Sequence, residues 1–165
     1  MKKINYAKKN ELFLSVLREI SIKTRIEETK DHIQHGNTSV YEHSLKVAYY
    51  SLIILAFLGK IKNEKELIRG ALLHDYFLYD WHIKGNRPKG LHGYTHPTTA
   101  YRNASKRINL TPIESDIIMK HMFPLTPIPP KFFESYVVCL VDKVCSTCET
   151  LKLDSLFNKY PRLKS

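Results

Sequence analysis

Strand signals are scarce in this sequence. Few segments alternate apolar and polar residues with period two, and no Asn-Gly or Asp-Gly pair offers a hairpin turn. Glycine and proline are few, 6 and 8 of 165 residues, so there is little room for low-complexity linkers, and no internal repeat is visible. Apolar runs are short: the longest, Tyr49 to Leu58, falls far below the roughly 20 residues a membrane span needs. The N-terminal MKKINYAKKNELFLSVLREI is basic in front like a signal peptide. Its apolar stretch is broken by Ser15, Arg18 and Glu19, however, and reads as an amphipathic helix. A cytoplasmic protein is expected. Acidic residues are outnumbered 16 to 26, giving a net charge of +10. That excess favours an anionic partner, whether a phosphorylated small molecule, a nucleotide or a nucleic acid, unless it serves solubility alone. Cysteine is limited to Cys139, Cys145 and Cys148 in one helical stretch. The CSTC pair lacks two further zinc ligands at hand and reads as small buried hydrophobes.

What is present is helical periodicity. A first helix is expected over about Lys8 to Ile20, with Leu12, Val16 and Glu19/Ile20 on one side. A second runs from about Ser39 to Leu58, closed by Gly59, with Leu45, Ala48, Leu52 and Leu55 at helical spacing. A third begins at Asn63, read as a cap with Glu66 at the third helical position, and carries Leu67, Ile68, Ala71 and Leu72. After a polar, glycine-punctuated segment from about Asp80 to Tyr94, Thr95-His96-Pro97 is expected to open another helix. Thr111-Pro112-Ile113-Glu114 is a capping box, and Pro124 ends that helix near His121 to Phe123. A last long helix spans about Lys131 to Thr150, followed by a basic tail over about 153–165. The expectation is an all-α bundle of six or seven helices forming one domain over 1–165.

Helical spacing puts polar residues on apolar faces. Leu67, Ala71 and His74 lie at i, i+4 and i+7, as do Ile68, Leu72 and Asp75. His43 shares a stripe with Val47, Tyr50 and Ile54; His121 follows Ile113 and Ile117; Asp142 lies between Val138 and Cys145. A carboxylate out of water either protonates or finds a cation. Two inward aspartates and several inward histidines on different helices favour a shared metal site over separately hydrogen-bonded polar residues. Imidazole and carboxylate donors suit iron, manganese, zinc or nickel, with magnesium also admitted, and one carboxylate can bridge two ions.

In its order His…His-Asp…Asp the chain resembles the HD-domain metal-dependent phosphohydrolases. His43 stands in YEHS, His74-Asp75 in LLHD and Asp142 in VDK, over roughly residues 35 to 150. Members with two metals also carry two histidines in between, and His96 (GYTHP) and His121 (MKHMF) occupy those places, with His92 four residues from the first. The resemblance implies that His43, His74, Asp75 and Asp142 hold one ion, and that Asp75, bridging, shares a second with His96 and His121. Asp75 and His74 would be the catalytic pair. It further implies hydrolysis of a nucleotide or small phosphoester by a metal-activated hydroxide. Many members carry a lysine three residues after the aspartate; here that position is Leu78. A phosphate-contacting cation is therefore expected from the loop holding Lys84, Arg87 and Lys89. HD-fold di-iron oxygenases use the same ligand types, and a non-catalytic module binding a nucleotide or nucleic acid is the third alternative. His32, His35 and His82 read as loop or surface residues.

Overall fold

The protein, here a computed structural model, is described for residues 4–60, 62–83, 85, 89–153 and 159–163. Among the described residues it is all-α, with six α-helices, one 3-10 helix and a single two-stranded hairpin. Helix α1 (Tyr6–Lys23) starts where the Asn5 side chain accepts the Lys8 N–H, and it buries Phe13, Val16, Leu17 and Ile20. Glu19 is not on that face. It lies at the rim, pairing with Lys23, Lys65 and Arg69 at 2.9, 3.0 and 2.7 Å, because a carboxylate gains more from three cations than from burial.

A 3-10 helix (Ile26–Asp31) leads into β1 (Ile33–His35), which pairs antiparallel with β2 (Thr38–Ser39). Gly36 turns this hairpin at φ +57, and a Cβ there would sit 2.7 Å from the Glu149 carbonyl oxygen. Glycine is therefore what lets the hairpin lie against the last helix.

Helix α2 (Val40–Phe57), capped by the Ser39 hydroxyl, is the central element and packs on α3 and α6. Its Leu45, Ala48, Leu52 and Leu55 are all buried. The stripe that begins at His43 leaves the core, since Ile54 is 37% exposed; only the first part of that stripe faces other helices. Gly59, at φ +70, follows the helix end as its position in the sequence predicts.

Helix α3 (Glu64–Leu73) departs from the expected cap. Asn63 is left-handed and makes no side-chain bond to its own helix; its amide donates instead to Glu134 at 2.9 Å. Helix α4 (His92–Ser105) begins a turn earlier than expected, on an extended Leu91 whose carbonyl accepts from Tyr94 and Thr95. Pro97 is thus inside the helix, where its missing N–H forfeits one bond near the N-terminus. Helix α5 (Pro112–Lys120) carries the full capping box between Thr111 and Glu114, and α6 (Phe133–Thr150) closes the fold. One core runs from Phe13 through Leu52, Leu72 and Ile117 to Cys145. No helix among the described residues is long and apolar enough to cross a membrane.

Candidate metal centre

Five α-helical segments deliver polar side chains to one point inside the core. His43 comes from the first turns of α2 and His96 from α4, while Asp142 sits mid-way along α6. His74 and Asp75 immediately follow α3, and His121 immediately follows α5. The last three therefore stand at helix C-termini, where the backbone dipole favours positive charge. All six are buried, the most exposed being Asp142 at 6%.

The two oxygens of Asp75 face different histidines. Oδ2 lies 3.8 Å from His43 Nε2 and 3.4 Å from His74 Nε2. Oδ1 lies 3.2 Å from His96 Nε2 and 3.5 Å from His121 Nε2. Asp142 Oδ1 joins the first set, 3.0 Å from His43 Nε2 and 3.7 Å from His74 Nε2.

Each imidazole is held from behind through Nδ1. His74, His96 and His121 donate to the carbonyls of Ala71, His92 and Ile118 at 2.7, 2.8 and 2.9 Å. His43 Nδ1 donates to Glu149 Oε2 at 2.8 Å. A carbonyl can only accept, so the ring proton sits on Nδ1 and a neutral ring turns a bare Nε2 lone pair inward. The centre is then a set of acceptors facing acceptors. His96 and His121 even bring their Nε2 atoms within 2.8 Å of each other, and His74 Nε2 and Asp75 Oδ1 have no hydrogen-bond partner among the described residues. Only cations, protons or metal, reconcile such a set.

Charge asymmetry follows. Burial opposes a charged His43, but the carboxylates of Asp142 and Glu149 outweigh it and push the ring up to about 10. Burial would likewise raise Asp75; the imidazoles of His74, His96 and His121 hold it below the ordinary carboxylate range. His121, desolvated and beside His74, is pushed down to about 3. Three overlapping trios, His43–His74–Asp75, His74–His121–Asp142 and Asp75–His96–His121, have ligand atoms within 4.8 Å of one another and could hold a divalent metal. With nitrogen and carboxylate oxygen but no thiolate, the donors fit zinc, iron, manganese or nickel.

Known proteins add no relative. No family model matches the chain, and neither a curated protein nor a solved structure does.

The structure gathers the six residues that the sequence marks, and it separates His96 from His92. His96 reaches Asp75, whereas His92 supplies the carbonyl that orients it. Lys84 and Arg87 lie outside the described residues, and Lys89 is exposed ahead of α4. Cys145 and Cys148 enter none of the three trios.

Four contributors escaped sequence reasoning. Glu149 is buried behind His43 and also binds the buried Lys46 ammonium at 3.1 Å. Its signal was present, seven residues after Asp142 on one helix face. His35 is half-buried with its ring centroid 5.6 Å from that of His43, not a surface residue, because the hairpin folds back over the centre. Gln34, 6% exposed, donates its amide to Asp75 Oδ2 at 2.5 Å. A three-residue strand leaves no periodicity from which to read either one. Gln34→Leu keeps the volume and removes that donor, so metal affinity should fall by about 10–100-fold with helical content unchanged. Competition with a chromophoric chelator measures it; unaltered affinity would show that Asp75 needs no such support.

Proposed function

We propose that this chain is a cytoplasmic metal-dependent phosphohydrolase of HD-domain type, acting on a nucleotide or another small phosphoester. The observation that carries the reading is the division of Asp75, one oxygen toward His43 and His74, the other toward His96 and His121. His43, His74, Asp142 and Asp75 Oδ2 would hold one ion, and His96, His121 and Asp75 Oδ1 a second. Bound there, two divalent ions would lower the pKa of a shared water and polarise phosphoryl oxygens for in-line displacement.

The chain's own residues set the stage for that. Carbonyls behind three histidines and Glu149 behind the fourth keep every Nε2 aimed inward. Gln34 fixes the rotation of Asp75. Lys143, beside Asp142, lines the cavity in front of the centre and offers positive charge to a phosphoryl group. Lys84, Arg87 and Lys89, in the loop before α4, would serve that same phosphoryl group at the centre. In the overall reaction a water oxygen bonds to phosphorus while the ester P–O bond breaks, and the departing alcohol oxygen takes up a proton.

The test starts from protein purified without chelator. Elemental analysis counts the ions, and reloading with manganese, zinc, iron or magnesium precedes a broad phosphoester panel. Release of phosphate or nucleoside monophosphate is expected with at least one redox-inert metal. No release with any metal overturns the proposal, and oxygen uptake dependent on ferrous iron in its place would move the chain to the di-iron oxygenases.

A further inference from the structure

The centre opens into a cavity of about 700 Å³, the size of a small-molecule site. Its side away from the metal-binding residues is formed by Trp81, Gly93, Met122, Pro124 and Leu125. Lys143 is the one lysine or arginine on its lining among the described residues, and its ammonium already donates to the carbonyls of His121 and Cys139 at 2.9 and 3.3 Å. Gly93 sets the position of the wall. A Cβ there would meet Leu125 Cδ2 at 2.9 Å and Met122 Cε at 3.5 Å, so the absent side chain lets both lean against α4.

Two imidazoles pack against Trp81. His92 stacks on it at 4.8 Å between centroids and 5°, and His82 lies at 3.9 Å and 30°. With both rings against it, Trp81 lines the cavity. The indole N–H is buried and has no partner among the described residues, a donor that a hydroxyl or ring nitrogen of a ligand would satisfy.

We infer that this cavity selects a ligand with a single phosphoryl group on an uncharged, largely apolar body of aryl or nucleoside size, and rejects nucleoside di- and triphosphates. The inference rests on the proposed function, which places the phosphoryl group at the centre. Among the described lining residues Lys143 is the one lysine or arginine, so every further phosphate would press negative charge against Met122, Pro124 and Leu125. The apolar body, by contrast, gains from leaving water.

Trp81 is the only tryptophan in the chain, so its emission reports on the wall directly. Metal-loaded protein is titrated by calorimetry and fluorescence with phosphonates, whose C–P bond resists hydrolysis. The probes are methylphosphonate, phenylphosphonate, the 5′-phosphonate of adenosine and the bismethylene analogue of adenosine triphosphate. The phenyl or adenosine phosphonate should bind at least tenfold tighter than methylphosphonate and shift Trp81 emission, while the triphosphate analogue binds at least tenfold weaker than the adenosine phosphonate. Whichever of the first two binds tighter distinguishes an aryl from a nucleoside body. Leu125→Ser, at a 46% exposed position, should weaken the favoured probe about tenfold and leave methylphosphonate unchanged. Equal affinity for all four, tighter triphosphate binding or silent Trp81 emission overturns the inference. Ester turnover that prefers triphosphates would sink it and leave the phosphohydrolase standing; selective phosphonate binding without turnover of any ester would do the reverse.

Discussion

If the centre holds two ions as proposed, Asp75→Ala should remove both, whereas Asp142→Ala should remove one. Asp75 brings its two oxygens to separate histidine pairs, whereas Asp142 lies closest to His43 and His74, its Oδ1 3.0 and 3.7 Å from their Nε2 atoms. Elemental analysis after dialysis should read near zero for the first variant and about half the wild-type content for the second. Losing an outer partner of a ligand costs about 10–100-fold in affinity or activity, so losing the ligand shared by both positions should cost more than about 100-fold in kcat/KM. Stability gives a second readout. Ligand at about 100 times its Kd stabilises a protein by about 2.7 kcal/mol, or about 5–10 °C in Tm for a chain of this length. That rise on adding metal should be present in wild type and absent in Asp75→Ala. An unchanged metal count in this variant would refute the bridging geometry.

The helices were legible because α-helical periodicity and capping are local. Thr111 and Glu114 form their box within four residues, and Leu45, Ala48, Leu52 and Leu55 point one way whatever surrounds them. The six residues of the candidate centre were legible for a related reason. An aspartate such as Asp75 on an apolar face violates the pattern around it, and the violation is visible in one dimension. Contacts made across the fold were not. Asn63 abandons its own helix for Glu134, 71 positions away, and Glu19 turns toward Lys65 and Arg69 on α3. Gln34 and His35 belong to a hairpin too short to announce itself, positioned by the close approach of Gly36 to Glu149. The wall joins Trp81 to the segment from Met122 to Leu125, two stretches far apart in sequence.

Glu149 should do two separable things, and a pair of variants will separate them. Its Oε1 binds the Lys46 ammonium at 3.1 Å and its Oε2 accepts from His43 Nδ1 at 2.8 Å, with both residues 3% exposed. Glu149→Gln keeps an acceptor for His43 and strips Lys46 of its counter-charge. Breaking a buried ion pair from one side costs about 3–5 kcal/mol, so Tm should drop by more than about 6 °C. Lys46→Met in the same background removes the stranded charge and fills its space with an apolar chain, and most of that loss should return. Metal affinity behaves differently. The carboxylate behind His43 makes the imidazole a stronger donor, so its replacement by an amide should weaken binding by about tenfold in the single and the double variant alike. Thermal denaturation of the metal-free proteins tests the first effect and chelator competition the second. If the double variant were as unstable as the sum of the two single changes, Lys46 and Glu149 would not be coupled. If metal affinity recovered along with stability, Glu149 would be holding the fold together without tuning His43.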